Sequence, residues 1–150
     1  MHEVLNPATA TSEGLTESAP DSTAPAGLVF YHASEGKPLA TPWQVALIRS
    51  QLLSHAALPE GLVLDCACGS GIQLAAHASV LQRGAIGVEL DASRARASAY
   101  NLRTIAEQRN EMDAPRMESS RVMIGDGRDG AGVLKAVSYT HLTLPTTGVV

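Results

Sequence analysis

Hydrophobic positions after residue 40 follow two alternating patterns, one helical and one typical of strands. In "ATPWQVALIRSQLLSHA" (40–56), Thr41 can cap a helix and Pro42 suits its first turn. The apolar positions then recur at helical spacing, at Val45, Ile48, Leu52 and Ala56. The apolar runs that follow are too short for helices and resemble strands buried in a parallel sheet. We therefore expect helices that alternate with buried strands.

Three strands and two helices are predicted between residues 61 and 127. The strands are "GLVLDCA" (61–67), "AIGVEL" (85–90) and "RVMIGDG" (121–127). One helix follows a glycine turn and runs to about Gln82, with Gly84 as its stop signal. The next spans Ala92 to Arg109, with an apolar face formed by Ala95, Ala99, Leu102 and Ala106. Short connections of this kind predict right-handed crossovers and a parallel sheet.

Both ends of the chain differ from this middle part. Residues 1–27 are rich in Ala, Thr, Ser, Glu and Pro and have no hydrophobic period, which predicts a disordered leader. Residues 137–150 have neither helical nor strand periodicity. The segment "SYTHLTLPTT" also resembles a translated sequencing-adapter sequence that recurs on unrelated reading frames, so we expect a non-native tail.

Charge and cysteine content exclude several classes of protein. The net charge of -4 comes from four acidic residues in 1–27, and the rest of the chain has eleven acidic and eleven basic residues. It therefore exerts no general attraction for nucleic acid or anionic membrane. Cys66 and Cys68 are too close for a disulfide and lack further zinc ligands, so we expect small buried thiols, no metal and a reducing cytoplasm. No apolar run is long enough for a membrane helix.

An acidic residue ends each predicted strand. Asp65 ends the first, Glu89 the second and Asp126 the third, and parallel strands would bring the three acids to one edge of the sheet. Gly69 and Gly71 follow Asp65, where the backbone must turn sharply and let a ligand approach the next helix. A carboxylate after the second strand can accept hydrogen bonds from both hydroxyls of a ribose. This pattern predicts a ligand that contains adenosine.

Two ligands of that kind compete. A dinucleotide fold has a small residue at the third position of G-x-G-x-x-G, whereas this chain has Leu74 there. A pyrophosphate would also be repelled by Asp65, while the ammonium group of a bound amino acid would be attracted to it. The residues therefore favour an adenosine joined to an amino acid over a nicotinamide dinucleotide.

The same three segments resemble the motifs of a known family. "VLDCACGSG" (63–71), "GVELD" (87–91) and "VMIGDG" (122–127) are similar to the first three motifs of class I S-adenosylmethionine-dependent methyltransferases. "TPWQVALIRSQLL" and "SAYNL" look most like RNA-modifying branches, including trimethylguanosine synthases and THUMP-associated enzymes. The resemblance implies S-adenosyl-L-methionine as cofactor and RNA as methyl acceptor.

The resemblance also implies roles for individual residues. Asp65 would bind the methionine ammonium, Glu89 the ribose hydroxyls and Asp126 the adenine amino group, while Leu90 would pack on adenine. The full set of expected cofactor-binding residues is Asp65, Cys66, Ala67, Gly69, Ser70, Gly71, Glu89, Leu90, Asp126 and Gly127. Ala67 replaces the family's usual glycine and fits only if its backbone angles are ordinary. No candidate catalytic residue is identified.

For three other residues we expect a structural role and no part in ligand binding. We expect Asp91 to cap the helix that follows it, and Trp43 and His77 to lie in the packed faces of their helices.

The predicted fold class is α/β, a Rossmann-like doubly wound parallel sheet of which only the N-terminal half is present. Residues 28–136 would form a partial S-adenosylmethionine-binding methyltransferase domain in a cytoplasmic protein. The family's acceptor-binding residues usually follow a fourth strand, and no such segment is recognisable. The alternatives are a nicotinamide-dependent oxidoreductase and a non-catalytic domain that binds a nucleoside cofactor.

Overall fold

The computed structural model of the chain describes residues 3–18, 28–33, 40–109 and 115–141. Their architecture is α/β, with a mixed four-stranded sheet and several helices. The strands are β1 (Val4–Leu5), β2 (Leu15–Glu17), β3 (Tyr31–Ala33), β4 (Val63–Asp65), β5 (Ala85–Glu89) and β6 (Arg121–Ile124). The α-helices are α1 (Trp43–Ser54), α2 (Ile72–Leu81), α3 (Ala92–Gln108) and α4 (Gly130–His141), and short 3-10 helices cover Pro7–Thr9 and Met117–Ser119.

The three predicted strands form the parallel part of the main sheet. The strand order is β1-β6-β5-β4, and β4, β5 and β6 are parallel neighbours, as the sequence predicts. Asp65 pairs with Gly87, and Glu89 pairs with Ile124. β5 therefore ends two residues beyond β4, β5 and β6 end level with each other, and all three carboxyl ends lie at one edge of the sheet.

The prediction of a disordered leader is wrong for residues 3–18. β1 pairs antiparallel with β6, which makes the sheet mixed rather than purely parallel. β2 pairs with β3 in a separate two-stranded sheet, and Pro7 is fully buried. Composition alone missed this order because the outer edge of β6 supplies backbone partners that a count of apolar residues does not reveal. Residues 19–27 of the predicted leader lie outside the described residues.

Helices cover both faces of the sheet. Val122 on β6 packs in a core with α2 and α3, and the next residue, Met123, packs on the other face with Val133 of α4. Ile86 and Val88 of β5 also face α4. This alternation follows from the two-residue period of a strand, and it gives a three-layer arrangement.

α1 lies outside this arrangement and packs on α2, and the apolar face predicted for it is wrong. Ile48 is 48% exposed and Leu52 is 68% exposed, whereas Trp43, Ala46 and Ser50 are fully buried. Because Ala46 and Ser50 are small, α1 and α2 can approach closely along that face. The sequence period was correct for a helix, but Val45, Ile48 and Leu52 of the predicted face lie on the side away from the core. Trp43 lies in the core as predicted.

Helix termini agree with the sequence only in part. Asp91 caps α3 as predicted, since its Oδ1 accepts a hydrogen bond from the Arg94 N–H at 3.0 Å. No side chain caps α1, so the role predicted for Thr41 is wrong. α2 ends with Gln82 in the left-handed conformation rather than with Gly84. Gly84 instead allows close packing against Leu62 and Ser119.

The segment from residue 137 is partly regular, contrary to expectation. α4 extends to His141, and Val137 packs against the same face of the sheet as Val133. These two residues are one helical turn apart, so a helix that starts at Gly130 brings both to the sheet. Residues 142–150 of the predicted tail lie outside the described residues.

Candidate functional site

The carboxyl edge of β4, β5 and β6 brings together the segments predicted to bind a cofactor. Because Asp65 pairs with Gly87, and residues two apart on a strand share a face, Asp65 and Glu89 point to the same side of the sheet. A Cβ on Gly87 would meet Leu74 of α2, so this is the side covered by α2 and α3. Asp126 follows the end of β6 at the same edge.

Asp65 is partly buried, and one of its two carboxylate oxygens accepts a hydrogen bond from the backbone. Its Oδ1 accepts a hydrogen bond from the Ala67 N–H at 3.0 Å, which stabilises the turn after β4. Its Oδ2 has no hydrogen-bond partner within the described part of the chain. A carboxylate with one fixed oxygen and one available oxygen is suited to bind a cationic group of a ligand.

The glycine turn has the backbone conformation that the sequence predicts. Gly69 has φ 55° and Gly71 has φ 83°, and only glycine adopts such angles readily. The Gly71 N–H donates to the Cys68 carbonyl at 2.8 Å, and a Cβ on Gly71 would collide with Ser98 of α3. Ala67 has no positive φ, so an alanine fits there without backbone strain.

Glu89 connects the loop after β4 with the loop after β5. Its Oε1 accepts from the Gly69 N–H at 3.2 Å, and its Oε2 accepts from the Asp91 N–H at 2.7 Å. Each carboxylate oxygen can accept a second hydrogen bond, so the side chain can still bind ligand hydroxyls. Sequence reasoning missed this structural role, because the contact spans 20 residues and depends on the register of the strands.

The remaining predicted residues lie in the loops after β5 and β6: Leu90 follows β5, and Asp126 and Gly127 follow β6. Leu90 is 70% exposed, so its apolar surface is accessible to a flat ligand group. Asp126 is engaged by Arg128, whose guanidinium Nη2 lies 2.8 Å from its Oδ2. Gly127 packs so closely on the Cys66 carbonyl that any Cβ would collide with it. The loops after β4 and β6 therefore touch each other, which the sequence did not indicate.

The two cysteines differ, and the prediction of two buried thiols is wrong for one of them. Cys66 is exposed, whereas Cys68 is buried beneath the site with its Sγ 3.5 Å from Ser98 Oγ. Burial raises the pKa of Cys68 to about 12, and the carboxylates of Asp65 and Glu89 contribute in the same direction. Cys68 is therefore a neutral packing residue.

Leu74 is fully buried at the position where a dinucleotide fold has a small residue. Its side chain occupies the space left by Gly87, where a Cβ would lie 2.8 Å from Leu74 Cδ2. The small residue that allows helix and strand to approach is thus on β5 rather than on α2. Leu74 therefore does not exclude a pyrophosphate at this turn, and Asp65 is the residue that disfavours one.

A polar network joins α1 to α2 near the site. His77 Nδ1 lies 2.8 Å from Ser50 Oγ, and the Ser50 hydroxyl is also 2.9 Å from the Ala46 carbonyl. Gln73 Nε2 donates to the same carbonyl at 3.0 Å. Partial burial lowers the pKa of His77, with Asp65 opposing this shift and Arg49 adding to it. The neutral imidazole is therefore the favoured form in this interface.

Two kinds of feature are absent from residues 3–18, 28–33, 40–109 and 115–141. No group of three or more His, Cys, Asp or Glu side chains there is arranged to hold a metal ion. No helix among these residues has the length and apolar character needed to cross a membrane.

No protein-family model matches this chain, and no curated protein or solved structure matches it.

Proposed function

We propose that this chain binds S-adenosyl-L-methionine and supplies the cofactor-binding half of a methyltransferase. In this proposal the sheet is the N-terminal half of a Rossmann-like, doubly wound class I methyltransferase fold. The observation that carries the proposal is the state of Asp65. One of its oxygens is fixed by the turn, and the other, at the carboxyl edge of a parallel sheet, lacks a partner among the described residues. An ammonium group beside this oxygen would form a charge-assisted hydrogen bond.

The other groups along the edge support an adenosine part. Glu89 retains acceptor positions for the two ribose hydroxyls, and Leu90 presents apolar surface for the adenine ring. The backbone from Cys66 to Gly71 would pass beside the methionine chain, since Gly69 carries no Cβ to obstruct a ligand and no atom lies within 4 Å of that position. Asp126 would accept from the adenine amino group once Arg128 releases part of the carboxylate. Ser70 and Gly127 complete the proposed contact set.

Methyl transfer from such a cofactor requires mainly orientation. When bound, the cofactor would supply a methyl group on a positively charged sulfur, and transfer to an in-line nucleophile would break the carbon–sulfur bond and release S-adenosylhomocysteine. The residues named here would bind and orient the donor, and positioning of this kind can lower a barrier substantially. RNA is the acceptor that we propose, on the strength of the sequence resemblance.

A nicotinamide dinucleotide is the competing ligand. The packing of Leu74 against Gly87 is compatible with close approach of α2 to the sheet, so helix packing does not exclude it. Asp65 disfavours it, because a pyrophosphate at the glycine turn would lie near an unpaired carboxylate oxygen.

Isothermal titration calorimetry of the whole chain with S-adenosylhomocysteine and with NAD separates these ligands. The decisive variant is Asp65→Asn, which keeps an oxygen to accept from the Ala67 N–H but removes the charge. We expect it to weaken S-adenosylhomocysteine binding by about 1–3 kcal/mol, the usual cost of leaving a charged group unpaired.

Asp91→Asn is the matched control. It removes one negative charge at the same edge, and asparagine caps a helix as well as aspartate does. S-adenosylhomocysteine affinity should therefore be nearly unchanged. Binding of NAD but not of S-adenosylhomocysteine, or equal losses in the two variants, would contradict the proposal.

A further inference from the structure

A cavity lies between α3 and the N-terminal segment, lined by residues of β1, the chain that follows it, and Arg96 and Ala99 of α3. Its volume is about 360 Å³, within the lower part of the range of roughly 300–1,000 Å³ typical of small-molecule sites. Asp65, Glu89 and Asp126 do not line it. It is therefore a different site from the proposed cofactor site.

The walls of this cavity are held in place by several independent contacts. β1 is paired with β6, and the Ile124 N–H donates to the Glu3 carbonyl at 2.9 Å. On the other side, the Arg103 guanidinium Nη1 donates to the Ala10 carbonyl at 2.6 Å. The buried ring of Pro7 lies between these two anchors along the chain. A ligand would therefore enter a preformed space.

Two side chains that line the cavity, Arg96 and Asn6, can donate hydrogen bonds to a ligand. The Arg96 side chain is exposed and makes no hydrogen bond or ion pair with the described residues. Asn6 accepts from the Ala8 N–H through Oδ1, which leaves its amide NH₂ as a donor. Val4, Leu5 and Ala99 supply apolar lining.

We propose that this cavity binds a small organic anion, with Arg96 and the Asn6 amide holding a carboxylate or phosphate group and Val4 and Leu5 contacting a short hydrocarbon part. A guanidinium binds either kind of anionic group through paired hydrogen bonds. Glu3 also lines the cavity and carries a negative charge, which opposes binding of an anion. Removal of that charge therefore gives a second, opposite test.

The experiment is an NMR titration of the whole ¹⁵N-labelled chain with butyrate, monobutyl phosphate and inorganic phosphate. We expect the two organic anions to shift amide signals of Asn6, Thr11 and Arg96 and to bind more tightly than inorganic phosphate, which lacks an apolar part. The stronger of the two organic ligands identifies the preferred anionic group.

Three variants decide the result. Arg96→Gln should weaken binding of the organic anions by about tenfold or more, because it removes a charge-assisted hydrogen bond. Arg94→Gln removes the same charge two residues away on α3, on another face of the helix, and should leave binding unchanged. Glu3→Gln should strengthen binding. S-adenosylhomocysteine affinity should be the same in all three, so the two proposals fail independently. Absence of localised shifts, or equal losses in Arg96→Gln and Arg94→Gln, would overturn this one.

Discussion

Gly71 is the residue at which backbone conformation and close packing coincide. Its φ of 83° favours glycine, and a Cβ would also collide with Ser98. Gly14 has a similar φ of 75° but no atom within 4 Å of the Cβ position. A side chain at either glycine would therefore strain the backbone, and a side chain at Gly71 would in addition collide with Ser98.

We predict that Gly71→Ala destabilises the chain by about 2–5 kcal/mol, from about 1–2 for the left-handed conformation and about 1–3 for overpacking. Gly14→Ala should cost only the first part. Urea unfolding followed by circular dichroism measures both values. Equal losses in the two variants would show that Ser98 does not limit the turn.

At the scale of elements, the contact of α1 with α2 depends on a histidine that is kept neutral. Partial burial lowers the pKa of His77 below its ordinary value of 6.5, so the unfolded chain binds a proton more readily than the folded one. The free energy of unfolding therefore decreases as the pH falls below about 6.5, where the unfolded chain begins to bind this proton and the folded chain does not.

We predict that His77→Gln reduces this loss of stability on acidification. Chemical unfolding of the wild type and the variant at a series of pH values from neutral to mildly acidic tests it. His55→Gln is the control, because His55 is exposed at the end of α1. It should show the wild-type dependence on pH. An unchanged dependence in His77→Gln would contradict the interpretation.

β1 is the element whose contribution is least expected from composition. Leu5 pairs with Val122 and packs against the main core, whereas Val4 is 39% exposed. A deletion of residues 1–10 should therefore lower the melting temperature, although the same segment was predicted to be a disordered leader.

Single substitutions separate packing from strand pairing. Leu5→Ala should destabilise the chain by about 1–3 kcal/mol, since a partly buried leucine loses part of its apolar contact. Val4→Ala should cost less, because its side chain is already partly in water. Differential scanning calorimetry gives both values. A deletion variant as stable as the full chain would refute a structural role for β1.

At the scale of the whole molecule, one edge of the main sheet, formed by β4, has no further strand paired with it among the described residues. β4 has β5 as its only strand neighbour there, and Leu64 on β4 is 45% exposed. Exposed edge strands with apolar side chains promote association between chains. At the opposite edge of the sheet β1 covers β6, and Val122 and Met123 of β6 are buried.

We predict that the chain self-associates as its concentration rises and that Leu64→Lys reduces this association. A charged side chain on an edge strand disfavours pairing with another copy. Leu134→Lys introduces the same charge at a residue of α4 that is 64% exposed and should have a smaller effect. Sedimentation velocity over a range of concentrations measures both. If the wild type remains monomeric throughout, the edge is not a site of association.

The sequence by itself determined the α/β class, the three parallel strands and the acids at their carboxyl ends. These features depend on local signals, namely short apolar runs, glycines that need a left-handed conformation, and a capping aspartate before α3. The periodicity of a strand or helix acts over a few residues, so it can be read without knowledge of distant contacts.

Only the tertiary structure decided what those local elements contact. Residues 3–18 are ordered because the edge of β6 pairs with β1. The buried face of α1 is set by the small residues that meet α2. The hydrogen bond from the Gly69 N–H to Glu89 depends on the register of the strands. Each joins segments far apart in the chain, and its energy comes from the partner as much as from the residue itself. A pattern read along one segment contains no information about that partner.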